Sequence, residues 1–404
     1  VIRYLTRRTL MTALHAHVPL DDAAALRDQL LVWLRGEALP VWWAFGVDHV
    51  HRGFHEKLGL RCEIRPDPRR SRVTARQVFS FAVAGRLGWT GPWKRGVEEG
   101  LDYFLSRCVK PDGTVRMVIA ADGTPLDDTF NLYDQAFALF AFAAAATVID
   151  DRGRAERAAV TLRDRLIAVY KHPVAGFEEA VPRTLPLKAN PHMHLFEACL
   201  AWEEAGGDAT WSALADEIAE LCLAKFIKPG EGWLREFFDG DWNAMPGEEG
   251  RIVEPGHHFE WAWLLTRWGG KRGRPDAVEA ARKLAELAEN HGVDQGRRVA
   301  INELLDDGSV RDGGARLWPQ TERIKGHVAL AGVASSAAER DAHIMRAVEA
   351  GHALMGYFEV DTPGLWRDRL NADGRYKIEP APASSFYHII CAIEELDKAV
   401  RAPA

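Results

Sequence analysis

A chain of 404 residues, 47% of them hydrophobic, has ample material for a large packed core, and its length alone allows two or three domains. The formal net charge of −7 argues against a nucleic-acid partner. The five cysteines (62, 108, 199, 222, 391) are odd in number, far apart and without a CxxC pair, which disfavours a disulfide framework and fits a reducing, cytoplasmic setting.

Near the start, Arg7-Arg8 is not followed by an apolar region, so no targeting signal is read there, and Met11 precedes a plausible domain start. Residues 1–11 are read as an N-terminal extension or start-site artefact, and 12–404 as one domain. His49, His51 and His55 cluster without a cysteine and match no zinc spacing, so a polar loop is expected and no metal. The basic run Arg69–Arg72 is short and suits a solvated loop. Further on, a polar or glycine-rich loop repeatedly leads into a site-like motif and then an alanine- and leucine-rich helix. Ala75-Arg76-Gln77, Tyr133-Asp134-Gln135, Asn190-Pro191-His192-Met193-His194, Gly256-His257, Trp318-Pro319-Gln320-Thr321-Glu322 and Ser385-Phe386-Tyr387-His388 are the six copies. They recur about every sixty residues, room for two helices and a long loop.

Between the motifs lie amphipathic helices. Leu214, Ile218, Leu221 and Cys222 form one stripe, and Val278–Glu289 reads the same way. The motif helices differ. Phe137–Ala143 is apolar nearly all round, and the apolar run to Val148 is too short to span a membrane. Helices with no polar face belong inside something. The expected fold is therefore all-α: an (α/α)6 barrel of helical hairpins, with long loops and short strands at one mouth.

The residues that would gather at that mouth are Arg76, Tyr133, Asn190, His194, His257, Glu260, Trp318, Gln320, Glu322 and His388, with Trp42 or Trp43. Aromatic faces among amide, guanidinium and carboxylate edges suit a neutral sugar. No GxGxxG or other phosphate loop is present. His257 and His388 can move protons near neutral pH. Taking the C2 proton of an open-chain sugar gives an enediol(ate), whose oxyanion Arg76 could hold. Plainer readings stand beside these: His194 and His257 as satisfied core histidines, and Arg76 paired with Glu260 or Glu322. Arg235, in the Gly232–Phe238 loop, either meets an anionic substituent or pairs with Glu236 or Asp239.

The stretch Pro255-Gly256-His257-His258-Phe259-Glu260-Trp261-Ala262-Trp263, taken with the Arg76, Asn190–His194, Trp318–Glu322 and Ser385–His388 motifs, resembles the N-acylglucosamine 2-epimerase superfamily. The resemblance spans roughly residues 30–395 and keeps the motif order. It implies the (α/α)6 barrel and acid/base catalysis on a free reducing monosaccharide or small disaccharide, with no metal or cofactor. It also implies that His257 and His388 are catalytic. Arg76, Asn190, His194, Glu260 and Trp318 match sugar-contacting or supporting residues, and His258 stands where many relatives have Gln. The ending Phe386-Tyr387-His388 looks more like the mannose isomerase branch. The leading expectation is conversion of D-mannose to D-fructose, by a cytoplasmic monomer or homo-oligomer with no membrane or nucleic-acid partner. A 2-epimerase, an isomerase of an anionic sugar such as sulfoquinovose, an inverting glycosidase using Glu260 and Glu322, and a non-catalytic sugar-binding protein are the alternatives.

Overall fold

Asn131, Asp151, Asp208 and Ser336 each accept a hydrogen bond from a backbone N–H in the first turn of the helix that follows, and Pro255 and Pro275 open two more helices where a missing N–H costs nothing. The computed structural model describes residues 19–402, so the reading of residues 1–11 as an extension lies outside the described residues. Within them, twelve long helices follow in order: α1 (Pro19–Trp33), α2 (Ser71–Arg86), α3 (Trp93–Tyr103), α4 (Leu132–Ala146), α5 (Arg152–Arg165), α6 (Ala189–Glu204), α7 (Ala209–Leu221), α8 (Pro255–Arg272), α9 (Pro275–Gly292), α10 (Leu317–Gly332), α11 (Ala337–Tyr357) and α12 (Ser384–Arg401).

The even-numbered helices are those carrying the sequence motifs. Each packs against the next, and α12 returns to α2, closing an inner ring; the odd-numbered helices wrap it, with α1 seated on α11 and α12. This is the expected (α/α)6 barrel. The apolar patterning explains the division. In α4 every residue but Tyr133 is buried, whereas α5 buries only Ala155, Ala159, Leu162 and Arg163. Among the described residues no helix is long and apolar enough to cross a membrane.

The continuation of α1 and helices α3, α5 and α7 each close with a five-residue π-turn, and a tight antiparallel bridge follows: Val47 with Phe54, Val109 with Val115, Lys171 with Phe177 and Ile227 with Leu234. Each of the last three hairpins, and the later one at Val299–Ala300, is pinned to the barrel by one buried side chain of the next inner helix. Gln135 accepts from Val115 N–H (2.7 Å) and donates to its carbonyl (3.1 Å). His192 Nε2 accepts from Phe177 N–H (2.9 Å), and His258 Nε2 from Leu234 N–H (3.2 Å). Gln320 accepts from Ala300 N–H and donates to its carbonyl, both at 2.8 Å. Burial pushes His192 and His258 down to about 4, so both stay neutral and able to accept. His192 and His258 thus do at their hairpins the job that Gln135 and Gln320 do at theirs.

Gln320 is a correction to the expectation from sequence. Its amide is spent on Ala300 and on the Arg316 carbonyl (3.0 Å), and it is not among the residues that line the pocket. Replacing it with Leu is expected to cost about 1–3 kcal/mol by orphaning two buried backbone groups. Denaturant unfolding measures this, with Gln320→Glu, which keeps an acceptor, as the milder comparison.

Candidate active site

The first two turns of the inner helices carry the polar motif residues, so the helices' N-terminal, positive dipole ends surround one end of the barrel axis. Arg76, Tyr133, Asn190, His194, Glu254, His257, Glu260, Arg316, Trp318 and His388 there line a pocket of about 130 Å³. Trp318 forms its central wall. The His257 and His388 rings lie 5.0 and 5.7 Å from the Trp318 ring, so both imidazoles belong to one small site.

The two histidines are built alike and charged differently. His257 Nδ1 lies 2.9 Å from Glu236 Oε1, and His388 Nδ1 lies 2.8 Å from Glu322 Oε1. A carboxylate fixes the proton on Nδ1 in each, leaving Nε2 as the working nitrogen. Burial opposes charge on His257, but Glu236, Glu254 and Glu260 outweigh it and push its pKa up to about 10. Glu254 itself is raised to about 7, by burial first. Burial, then the Arg76 and Lys325 cations, drives His388 well below the ordinary imidazole range. The pocket therefore holds an imidazolium and a neutral imidazole at the same pH, which separates an acid from a base.

Below the pocket lies a layer of buried ionisable groups. Lys325, wholly buried, reaches Glu322 Oε2 (2.6 Å) and Glu260 Oε1 (3.7 Å) and stands 3.8 Å from the centre of the Trp263 ring. Burial and the neighbouring Glu322 raise the Glu260 pKa well above normal, against the pull of Lys325. Both its oxygens lack a hydrogen-bond partner within the protein, as does Asn190 Oδ1. The Tyr387 hydroxyl donates to Glu197 (2.6 Å), which also meets His194 Nδ1 (3.2 Å). Replacing Lys325 with Met would leave Glu322 in the core without its cation; the expected loss is about 3–5 kcal/mol of stability, read by thermal or denaturant unfolding.

Arg76 makes no ion pair with Glu260 or Glu322. It donates to the Tyr133 hydroxyl (2.5 Å) and the Ser384 carbonyl (3.3 Å), and its guanidinium lies 4.1 Å from the centre of the Phe137 ring, so its charge remains available to the pocket. His194 is neutral, pushed down to about 4 by burial. Glu322 does not line the pocket; it stands behind His388 and orients it. Arg235 is spent on Asp306 (3.0 and 2.6 Å), not on Glu236 or Asp239, and lies outside the pocket. Trp42 stacks on Trp366 in the core, and Trp43 packs against His49 and Phe81; neither lines the pocket.

Sequence reasoning missed Glu254, Arg316 and the supporting Glu236, Glu197 and Lys325. Glu236 lies in the recurring Gly232–Phe238 loop and Glu254 directly before the Pro255 helix start, signals that could have drawn attention to both. Among the described residues three trios could offer metal ligands, namely His194–Glu197–Glu260, Glu236–Glu254–His257 and Glu260–Glu322–His388. In each the histidine already directs Nδ1 at a carboxylate. The His49, His51 and His55 cluster is not among them.

A barrel with paired imidazoles in a polar pocket defines a class, and comparison with known proteins agrees with it. The family model for N-acylglucosamine 2-epimerase matches residues 53–392, and the chain belongs to that family. It is 50% identical over 380 residues to a mannose-6-phosphate isomerase from Rhizobium meliloti (strain 1021), covering 92% of this chain and 97% of that one. The fold matches a crystal structure of D-mannose isomerase (TM-score 0.83, 19% identity, 93% and 98% of the two chains). It also matches cellobiose 2-epimerase from Bacillus thermoamylovorans B4167 (TM-score 0.82, 17% identity, 93% and 100%). The protein is an enzyme of the isomerase and epimerase kind.

Proposed function

We propose that the protein interconverts a mannose-type aldose and its ketose, D-mannose and D-fructose in the simplest case, without a metal. The observation that carries this reading is the pair of imidazoles beside Trp318, each anchored through Nδ1 to its own buried glutamate and held in opposite proton states. His388 Nε2 takes the proton from C2 of the open-chain sugar. Electrons move onto O1, and the growing charge is met by Arg76 and the His257 imidazolium, aided by the surrounding helix N-termini. His257 gives its proton to O1, and the resulting cis-enediol becomes the ketose when a proton is delivered from His388 to C1 while O2 returns its own to His257. Asn190, His194, Tyr133 and Glu260 hold the hydroxyls, and Trp318 supports the ring face.

The inverting-glycosidase alternative needs two carboxylates about 6.5–9.5 Å apart with a water between them. Glu260 and Glu322 offer oxygens within 4.8 Å of one another, and Glu322 is occupied by Lys325 and His388. The test is incubation with D-mannose in D2O, followed by NMR. Fructose carrying deuterium is expected. Glucose alone would make the enzyme a 2-epimerase, which returns the proton to C2 from the opposite face, and no change in any aldose would overturn the reading.

A further inference from the structure

The pocket does not end at Trp318. Glu254, Arg316 and Trp318 are shared with an adjoining cleft of about 570 Å³, also lined by Asn302, Arg369, Asn371 and Lys377. Arg316 sits at the junction, exposed, and its guanidinium makes no hydrogen bond or ion pair with any described residue; its only ring neighbour is Trp318, at 5.9 Å. The strand Ala315–Arg316 pairs antiparallel with Arg369–Leu370, and Arg316 stands directly opposite Arg369. Residues directly opposite share one face of the pair, and like charges placed so repel. Among the described residues two carboxylates offset the group in part: Glu254 faces Arg316 without an ion pair, and Glu379 meets both Arg369 (3.2 Å) and Lys377 (3.6 Å). On the cleft wall Glu303 pairs with Arg311, Glu254 also lies 3.8 Å from His257, and Asp312 accepts from Asn302 and the Gly314 N–H. Arg235, the residue whose place in the sequence suggested this role, is neutralised by Asp306.

We propose that Arg316 and Arg369, with Lys377, form a subsite for a tetrahedral oxyanion on the end of the sugar remote from the reacting carbons. The preferred substrate is then a hexose phosphate or sulfonate charged at C6, its C1 and C2 between the imidazoles and its anion in the cleft. This rests on the isomerase reading above and names its substrate class. A forked guanidinium pairs bidentately with such an anion, and an opposing pair of arginines loses its repulsion when an anion lies between them.

The experiment measures kinetics and calorimetric binding for D-mannose, mannose 6-phosphate and a 6-sulfonated hexose, on the wild type, Arg316→Gln and Arg316→Lys. For the wild type, kcat/KM for at least one anionic sugar is expected to exceed that for mannose tenfold or more, the better sugar identifying the oxyanion. The advantage should shrink at raised ionic strength. Arg316→Gln should raise KM for that sugar at least ten times more than for mannose, and Arg316→Lys should recover part of the loss. Equal effects on charged and neutral sugars, or no wild-type preference for either anion, would overturn the subsite. Charge-dependent binding without any ketose formation would instead retain the subsite and remove the isomerase reading.

Discussion

His388→Asn is expected to lower kcat by about 10²–10⁴-fold while changing the apparent affinity for sugar little. Asparagine keeps a donor near the place of Nδ1, able to satisfy the buried Glu322, but has nothing in place of Nε2. The loss should therefore be of proton transfer and not of folding. Solvent deuterium exchange at C2 should vanish with turnover, and the unfolding midpoint should stay close to that of the wild type. Unimpaired exchange would take His388 out of the reaction.

The second large effect is expected from Glu236→Gln. His257 has its pKa raised to about 10 although burial works against its charge, because Glu236 and then Glu254 favour the imidazolium. A raised pKa means that the cation persists through neutrality and is lost as pH climbs through about 10. A step that needs this cation shows an alkaline limb there. Gln removes the larger of the two carboxylate contributions and leaves burial in place, so the limb should move to lower pH. The rate near pH 8 should fall by about tenfold or more, with partial recovery in more acidic buffer. A pH–kcat/KM profile with an unmoved alkaline limb would mean that another group supplies the proton.

Much of this was legible in the chain. The recurrence of motif and apolar helix identified the barrel, because a helix such as α4, apolar on all sides, can only sit inside a ring. The same recurrence brought Arg76, Tyr133, Asn190, His194, His257, Glu260, Trp318 and His388 to one mouth, and all eight line the pocket. Which members of a motif face inward was not legible. Gln320 and Glu322 are two apart on α10, and neither points at the ligand: one holds a hairpin, the other a histidine. Partners distant in sequence were also hidden. Glu236 reaches His257 across 21 positions and Glu322 reaches His388 across 66, contacts made when a hairpin folds onto the next inner helix and when neighbouring inner helices pack. Arg316 carried no motif, and only strand pairing sets it opposite Arg369 beside the pocket.

The single-residue anchors between inner helices and hairpins have a consequence for how such a protein can change. Gln135, His192, His258 and Gln320 each grip a hairpin at its base, and the tips of the first three rest on the outer helices, Gly113 against Thr161, Gly176 against Glu217 and Gly232 against Lys283. Rim residues that touch neither an anchor nor Glu236 can be exchanged without displacing the imidazoles, because the grip and the proton-transfer groups sit on the same helix starts. Evolution, or a protein engineer, can thus redraw the rim that selects the sugar while inheriting the chemistry intact.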